Sequence, residues 1–277
     1  MTGKVYLVGA GPGDPELLTV KALRVLAAAD VVLHDELVSP AVLSLAPQSA
    51  RVYNVGKRCG RKKFAQEEIN ALMVAFAATG LNVVRLKGGD PAIFGRAGEE
   101  IQSLRQAHVE FEVIPGVTAA LGAAAAAQIP LTTRHLSSAL VFLTGHRADE
   151  DKTDWRAFVG SGATLVVYMP GRDYDEIAQR LITAGLSGDT PCAIVSRATT
   201  AEEQIVVTAV GELPHAAPLP APALLVIGAV VRLADRSRLH SPAHWWTALQ
   251  TALPSDQAPV SNAVLPPLEE LEGGYGD

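Results

Sequence analysis

The chain has 277 residues and a formal net charge of −6, and 48% of its residues are hydrophobic. This length allows two domains, and the apolar fraction is typical of a globular protein. The acidic balance disfavours nucleic acid as a partner.

The cysteines and the apolar runs limit the compartment. Cys59 and Cys192 form neither a CxxC pair nor a metal-ligand spacing, so we expect no metal site and a reducing, cytoplasmic compartment. Residues 1–4 lead directly into an apolar strand, without the regions of a signal peptide. The apolar run at 117–129 is too short to cross a bilayer, so we expect no membrane partner.

Short apolar runs alternate with helical patterns in the first half of the chain, which predicts an α/β domain with a mainly parallel sheet. The predicted strands are residues 4–9, 30–35, 52–55, 82–86 and 111–114. Helices are predicted from Pro15, over 66–79, from Gly98, and from about 118 to 128. Asp14 suits the N-cap of the first helix, and Gly80 suits the end of the second.

The second half of the chain predicts a mixed sheet. Strands are predicted at 139–144, 164–169, 191–196, 204–210 and 223–231, with a helix at 173–184. Short links between the last three strands allow antiparallel pairing. We therefore predict α/β domains at 1–134 and 135–233 and an extension at 234–277, whose last ~25 residues are rich in Pro, Ser and acids and are expected to be mobile.

The segment 85–100, RLKGGDPAIFGRAGEE, carries the strongest functional signal. Gly88 and Gly89 allow a positive φ or a close approach of the backbone to a ligand. Asp90-Pro91 favours a turn. The segment follows a predicted strand, and open α/β sheets bind ligands at the carboxyl ends of their strands. A plain strand-to-helix turn with solvated charges is the competing interpretation.

The first loop, at 9–15, is similar in part to a dinucleotide-binding fingerprint. Asp35 follows Gly11 at about the distance expected for a ribose-binding acid. However, Asp14 stands where the fingerprint needs glycine, and Pro12 and Pro15 lack the amide donors that a pyrophosphate needs. A nucleotide-dependent oxidoreductase is therefore a minor hypothesis.

Several motifs together resemble the tetrapyrrole methylases, the class III methyltransferases. They are GAGPGD at 9–14, RLKGGDP at 85–91, FGR at 94–96, GEE at 98–100, PGVTAA at 115–120, IPLT at 129–132, TGH at 144–146 and VYMP at 167–170. Within this family the block at 85–100 is most similar to the uroporphyrinogen-III C-methyltransferases. The resemblance covers about residues 3–233. Two positions depart from the pattern: Ala97 stands where glycine is usual, which is tolerable if its φ is negative, and Thr133 stands where histidine is frequent.

The resemblance implies two α/β domains with S-adenosylmethionine (SAM) in the cleft between them, and a homodimer. It implies methylation of uroporphyrinogen III at C2 and C7 to precorrin-2, for siroheme, cobalamin or heme d1 synthesis. The resemblance includes no dehydrogenase/chelatase domain, so we expect a protein similar to the stand-alone enzyme. Two further hypotheses are a related methylase acting on another precorrin or on a non-tetrapyrrole, and a catalytically idle binding protein.

Methyl transfer from a sulfonium needs mainly in-line positioning, so we expect a cofactor cradle of small residues. The candidates are Pro12, Gly88, Gly89, Asp90, Ile93, Thr118, Ala119 and Met169; the resemblance implies that these positions bind the cofactor together with Ala198 and Ala229 of the second domain. Asp90 could instead only cap its turn, and Met169 could be an ordinary core residue.

The substrate carries eight carboxylates, so a cationic rim is expected on this acidic chain. The predicted substrate-binding residues are Asp35, Lys57, Arg58, Arg134, His146 and Met169. The charges at 57–63 could instead be a solvated face, and His146 could be structural. Arg96 and Glu99 share a helix face; the resemblance implies that they handle substrate protons, and a local ion pair is the simpler interpretation.

Overall fold

The computed structural model describes residues 3–56, 64–145, 154–235 and 237. Its first sheet contains β1 (Lys4–Gly9), β2 (Val31–His34), β3 (Arg51–Asn54), β4 (Val83–Lys87) and β5 (Glu110–Ile114). All four pairings are parallel, in the order β3-β2-β4-β1-β5. This confirms the predicted parallel sheet, with strand ends shifted by a residue or so.

Helices cover both faces of this sheet, as an all-parallel sheet requires. The helices are α1 (Val20–Leu26), α2 (Pro40–Leu43), α3 (Gln66–Ala78) and α4 (Ala97–Gln106). On β1, Val8 packs with the α1 and α2 side, whereas Val5 and Leu7 pack with the α3 and α4 side. Successive side chains of β1 point to opposite faces of the sheet, so this one strand contributes to the apolar cores on both faces. The short helix α2 was not predicted.

The predicted first helix is wrong at its start. Asp14 accepts a hydrogen bond from the Glu16 amide, as an N-cap does, but residues Pro15–Leu17 form only a 3-10 turn. The chain then becomes extended at Leu18, and Thr19 caps a new helix by accepting a bond from the Ala22 amide. Two successive caps thus divide one predicted helix into a turn and α1.

The second sheet is mixed, as predicted. It contains β6 (Leu140–Thr144), β7 (Thr164–Tyr168), β8 (Pro191–Ser196), β9 (Gln204–Ala209) and β10 (Ala223–Ile227) in the order β6-β7-β10-β8-β9. Strands β6 and β7 pair in parallel, and the other three described pairings are antiparallel. The predicted last strand reached residue 231, but β10 ends at Ile227 because Gly228, at a φ of 139°, turns the chain into the 3-10 segment Ala229–Leu233.

An alanine-rich helix packs on the second sheet. Three further helices are α5 (Ala119–Ala127), α6 (Arg156–Val159) and α7 (Asp175–Thr183), of which α6 was not predicted. Ala120, Ala123 and Ala127 of α5 lie in one core with Val166 and Val226 of the second sheet. The predicted boundary at 134 assigns α5 to the first domain, yet its small side chains pack on the second sheet. On the other face of that sheet, α7 completes a separate core.

Within the described ranges, the helices are all too short or too polar to cross a lipid bilayer.

Three strand ends of the first sheet meet at glycines. A Cβ added to Gly9 would lie 2.6 Å from the Cα of Gly116 and 2.7 Å from the carbonyl oxygen of Gly89. A Cβ added to Gly116 would lie 2.5 Å from that same oxygen. The loops after β1, β4 and β5 can therefore stack only without side chains at these positions.

This contact predicts the effect of one methyl group. Gly9→Ala must push backbone atoms apart, and we expect it to destabilise the protein by about 1–3 kcal/mol. Gly98→Ala is the matched control, because nothing lies within 4 Å of its added Cβ and it occupies the first turn of α4. Alanine there should be neutral or stabilising, by up to ~1 kcal/mol. Urea unfolding measures both; equal stabilities for the two variants would contradict the close packing.

Candidate active site

A cleft lies at the carboxyl ends of β1, β2 and β4, facing the second sheet. It encloses about 1000 Å³ when the open space at its mouth is included. The first sheet and its loops contribute Gly11, Pro12, Asp35, Leu37, Lys87, Gly88, Gly89, Asp90, Ile93, Phe94, Gly95, Thr118 and Ala119. The second sheet contributes Tyr168, Met169, Val195, Ala198, Pro222, Ala223 and Leu224. The segment 85–100 thus forms part of the wall, as the ligand-site interpretation requires.

The floor of the cleft is two glycine loops bonded to each other. Gly11 and Gly89 exchange backbone hydrogen bonds of 3.2 and 2.8 Å, and the Ala10 amide donates to the Lys87 carbonyl at 2.8 Å. Gly11 and Gly89 have φ values of 70° and 69°, where glycine is the least strained residue. The floor is therefore backbone, open to a ligand and fixed in shape.

Asp90 holds this floor to the next loop. Its Oδ1 accepts a bond from the Ala92 amide at 2.8 Å, and its Oδ2 accepts one from the Gly116 amide at 2.9 Å. The turn-capping interpretation of Asp90 is confirmed. Asp90 also lines the cleft. Its contact with a cofactor stays a prediction.

Tyr168 closes the cleft from the second sheet. Its Oη lies 2.7 Å from Oγ1 of Thr118 and accepts a bond from the Ala120 amide at 3.1 Å. Burial raises the pKa of the Tyr168 phenol, so the group stays neutral at physiological pH. Phe94 and Phe142 pack on its ring with centroids 5.0 and 5.6 Å away. Sequence reasoning missed this residue, although it lies inside the quoted motif VYMP.

Two residues that line the cleft, Phe94 and Met169, and the nearby Arg96 have left-handed backbone. Phe94, Arg96 and Met169 have φ values of 52°, 56° and 50°. Such strain persists only where the surroundings hold it, and it concentrates at functional sites. Met169 is 49% exposed, so the core interpretation of this residue is wrong and the cleft-wall interpretation is confirmed. Ala97 begins α4 in helical backbone, which confirms that alanine is tolerated there.

Four ionisable side chains form a charge cluster, Asp35–Arg85–Lys87–Glu100, of which Asp35 and Lys87 line the cleft. Oε1 of Glu100 accepts bonds from Nε of Arg85 and Nζ of Lys87, both at 2.9 Å. Arg85 also donates to Oδ1 of Asp35, whose Oδ2 lies 3.9 Å from Nζ of Lys87. Glu100 is fully buried, and its Oε2 has no hydrogen-bond partner among the described residues.

Burial and charge act in opposite directions on the two cations of this cluster. Burial works to lower the pKa of Arg85, but Asp35 and Glu100 outweigh it and raise that pKa. For Lys87, burial and the like charge of Arg85 prevail over the two carboxylates, and its pKa is lowered. The cluster therefore holds a permanent cation beside an amine that gives up its proton more readily than usual.

Arg96 and Glu99 form an ion pair beside the cleft. Two bonds of 2.7 Å join the guanidinium to the carboxylate, and the side chains are 48% and 49% exposed. This pairing raises the pKa of Arg96 and lowers the pKa of Glu99. The local ion pair is confirmed, and the role in proton handling stays a prediction. Neither side chain lines the cleft, but Gly95 next to Arg96 does.

Most predicted site residues meet in the cleft. The lining includes Asp35, Pro12, Gly88, Gly89, Asp90, Ile93, Thr118, Ala119, Met169 and Ala198. Ala229 does not line it; this residue begins the 3-10 segment after β10. Arg134 is exposed in the turn closed by Thr133 and Ser137, also away from the lining. Lys57, Arg58 and His146 lie outside the described residues, as do Cys59 and nearly all of the 234–277 extension.

The charge cluster predicts unequal costs for the same substitution at neighbouring positions. Glu100→Gln removes a buried carboxylate that two cations share, and we expect a loss of about 3–5 kcal/mol. Glu99→Gln breaks only a half-exposed pair and should cost less than ~1 kcal/mol. Denaturant unfolding of both variants measures the difference. Similar losses for the two variants would show that burial of the cluster does not control its energetics.

Comparison with known proteins places this cleft in a family. The sequence profile of the tetrapyrrole (corrin/porphyrin) methylases matches residues 4–214. Siroheme synthase 1 of Yersinia enterocolitica is 52% identical over 233 residues, which are 83% of this chain and 49% of that protein. The siroheme synthase of Nitrosomonas europaea is 44% identical over 262 residues, 93% of this chain and 54% of that protein. The chain therefore spans about half the length of these curated relatives.

Solved structures agree with this assignment. Uroporphyrin-III C-methyl transferase of Thermus thermophilus, complexed with S-adenyl homocysteine, superposes with a TM-score of 0.73 at 43% identity, covering 83% of this chain and 100% of that chain. A cobalt precorrin-4 methyltransferase superposes with a TM-score of 0.73 at 32% identity, covering 82% and 95% of the two chains. The chain belongs to the tetrapyrrole methylases.

Proposed function

We propose that this protein is a SAM-dependent methyltransferase that methylates uroporphyrinogen III at C2 and C7 to give precorrin-2. The observation that carries the proposal is that nine of the ten predicted cofactor residues line one cleft between the two sheets. The relative from Thermus thermophilus, aligned over its full length, is a uroporphyrin-III C-methyl transferase in complex with S-adenyl homocysteine. The similarity to siroheme synthases supports the same pathway.

The chemistry of the cleft fits a sulfonium cofactor. Gly88 and Gly89 leave backbone groups free of side chains, and a Cβ on Gly88 would already lie 3.2 Å from the Cβ of Leu37. Ile93 adds an apolar wall, and Ala198 offers a small one from the second sheet. SAM would supply the electrophilic methyl group. The residues of the chain would position it in line with the attacking carbon, which is the main requirement of such a transfer.

The substrate would enter from the mouth of the cleft. Asp35 is 31% exposed there, and an acceptor-only carboxylate suits pyrrole N–H donors. The rings of Phe94 and Tyr168 offer an apolar face to the macrocycle. We propose Lys57 and Arg58, from the run of cations at 57–63, and Arg134 and His146, from the resemblance, as contacts for the substrate carboxylates. A homodimer and a cytoplasmic location likewise remain predictions.

Mass spectrometry of the product tests the proposed function. Purified protein is incubated with SAM and uroporphyrinogen III under reducing conditions, with a matched reaction lacking SAM. We expect a gain of two methyl groups that depends on SAM. Binding of SAM without methyl transfer would instead favour another macrocycle or a non-tetrapyrrole substrate. Binding of NADH in place of SAM would favour the oxidoreductase hypothesis.

Conservative substitution tests the proposed role of the Arg96–Glu99 pair. Arg96→Lys keeps the charge but loses the planar guanidinium that donates two hydrogen bonds to the carboxylate of Glu99. If the pair handles substrate protons, the turnover number should fall by about 10²-fold or more while affinity for S-adenosylhomocysteine stays constant. Arg105→Lys, at an exposed position in the last turn of α4, is the matched control and should keep full turnover. Equal turnover of both variants would remove Arg96 from the mechanism.

A further inference from the structure

A loop of the second sheet meets a loop of the first sheet at one end of the cleft. The crossing loop, residues 197–203, connects β8 to β9, and its Ala198 lines the cleft. The GPGD loop, residues 11–14, follows β1, and its Pro12 lines the cleft as well. Two predicted cofactor contacts from different sheets are therefore carried by loops that touch each other.

A direct hydrogen bond joins these two loops. The amide of Asp14 donates to Oγ1 of Thr199 at 3.2 Å, although the two residues are 185 positions apart in the sequence. The side chain of Asp14 is engaged within its own loop, because its Oδ1 accepts a bond from the Glu16 amide. It is therefore the backbone of the GPGD loop that is tied to the second sheet, through the hydroxyl of Thr199.

The packing around this bond leaves no room for further side chains. A Cβ added to Gly122 of α5 would lie 2.8 Å from Cβ and Cγ of Pro12 and 3.4 Å from Cγ2 of Thr199. A Cβ added to Gly13 would lie 2.7 Å from Cγ2 of Thr200. Pro12 and Thr199 thus pack on the same glycine of α5, and the position of the proline depends on the position of the threonine.

Thr199 is held in a backbone conformation that is unfavourable for its residue type. Its φ of 66° lies in the left-handed region, where a β-branched residue is an outlier. Glu203 stabilises this conformation, because its Oε2 accepts a bond from the Thr199 amide at 2.7 Å. Glycine would relieve the strain but would remove the hydroxyl. Strain of this kind persists where its surroundings hold it, and it concentrates at ligand-binding sites.

We propose that Thr199 is a positioning residue for the cofactor, with Glu203 holding it in place. Its hydroxyl fixes the GPGD loop against the crossing loop, so that Pro12 and Ala198 face the same SAM molecule. The inference rests on the cofactor of the proposed function and not on its substrate. With the bond present, the two walls are in register before the ligand arrives. Without it they separate for part of the time, and the apparent affinity falls with the fraction of molecules that can bind.

Thr199→Val is the central test, because valine keeps the β-branch and the size of the side chain but loses the accepting hydroxyl. The loss of one hydrogen bond changes an equilibrium by about 3- to 10-fold. We expect the Kd for S-adenosylhomocysteine, measured by calorimetry, to rise by about that factor. Thr199→Ser keeps the hydroxyl and should restore the wild-type Kd. A Thr199→Val variant with the wild-type Kd overturns the inference.

Steady-state kinetics separates positioning from a role in the chemical step. In Thr199→Val the KM for SAM should rise, whereas the turnover number at saturating SAM should stay near the wild-type value, because bound cofactor restores the register. Thr79→Val is the matched control. It also removes a bonded hydroxyl, which donates to the Phe76 carbonyl, but it lies just before β4, at the opposite end of the strands from the cleft. A lower turnover number with unchanged KM, or an equal rise in KM in both variants, would overturn the inference.

Glu203→Leu tests whether the carboxylate acts through Thr199. It removes the acceptor of the Thr199 amide, so the Kd for S-adenosylhomocysteine should rise. In the double variant with Thr199→Val, the two losses of affinity should not add, because both act on one contact. Fully additive losses would contradict the proposed role of Glu203.

The wild-type protein distinguishes failure of this inference from failure of the proposed function. If it binds S-adenosylhomocysteine but methylates no uroporphyrinogen III, the proposed function is contradicted, and calorimetry of Thr199→Val still decides the inference. If the wild type binds no S-adenosylhomocysteine, both are contradicted.

Discussion

The contact of Gly9, Gly89 and Gly116 determines where this protein can bind a ligand. Because no side chain separates them, the loops after three neighbouring parallel strands pack backbone to backbone. Asp90 then ties two of these loops together: its Oδ2 accepts a bond from the Gly116 amide, while its Oδ1 accepts one from Ala92 within its own loop. The result is a rigid floor made of peptide groups, which can approach a small ligand closely. Every other feature of the cleft is arranged around that floor.

The second sheet completes the site through small and aromatic residues. The alanines of α5 allow the helix to lie against the second sheet, and Tyr168 bonds back to the start of that helix. Met169, next in sequence, is thereby turned into the cleft in left-handed backbone. The charge cluster brings four ionisable groups together, and two of them, Asp35 and Lys87, line the cleft. Burying charges is costly unless they are paired, and here each cation has a carboxylate partner.

Much of this architecture could be predicted from the sequence, because the relevant signals are local. Short apolar runs indicated the parallel strands, and the GGDP turn indicated a ligand loop. The start of α1 was not predictable from apolar spacing, because the caps at Asp14 and Thr19 compete within one periodic segment. The end of β10 was missed because Val230 and Val231 continue its apolar pattern, although they pack in a 3-10 segment.

The partners within the charge cluster could not be predicted from the local sequence pattern. Arg85 and Lys87 are two residues apart in a buried strand, so their side chains lie on the same face of the sheet. Buried cations need carboxylate partners, so acidic residues must pack against that face. The sequence alone does not say which carboxylates these are. Glu99 and Glu100 are neighbours of the same type, yet one is half exposed and the other fully buried. Only the packing of α4 on the sheet separates their roles.

Hydrogen exchange with and without S-adenosylhomocysteine tests most directly the central claim that one cofactor is held between the two sheets. The account predicts slower exchange at the amides of 88–95 beside the first sheet and of 195–199 beside the second, both on addition of the same ligand. Protection confined to one of these segments, or found in neither, would contradict it.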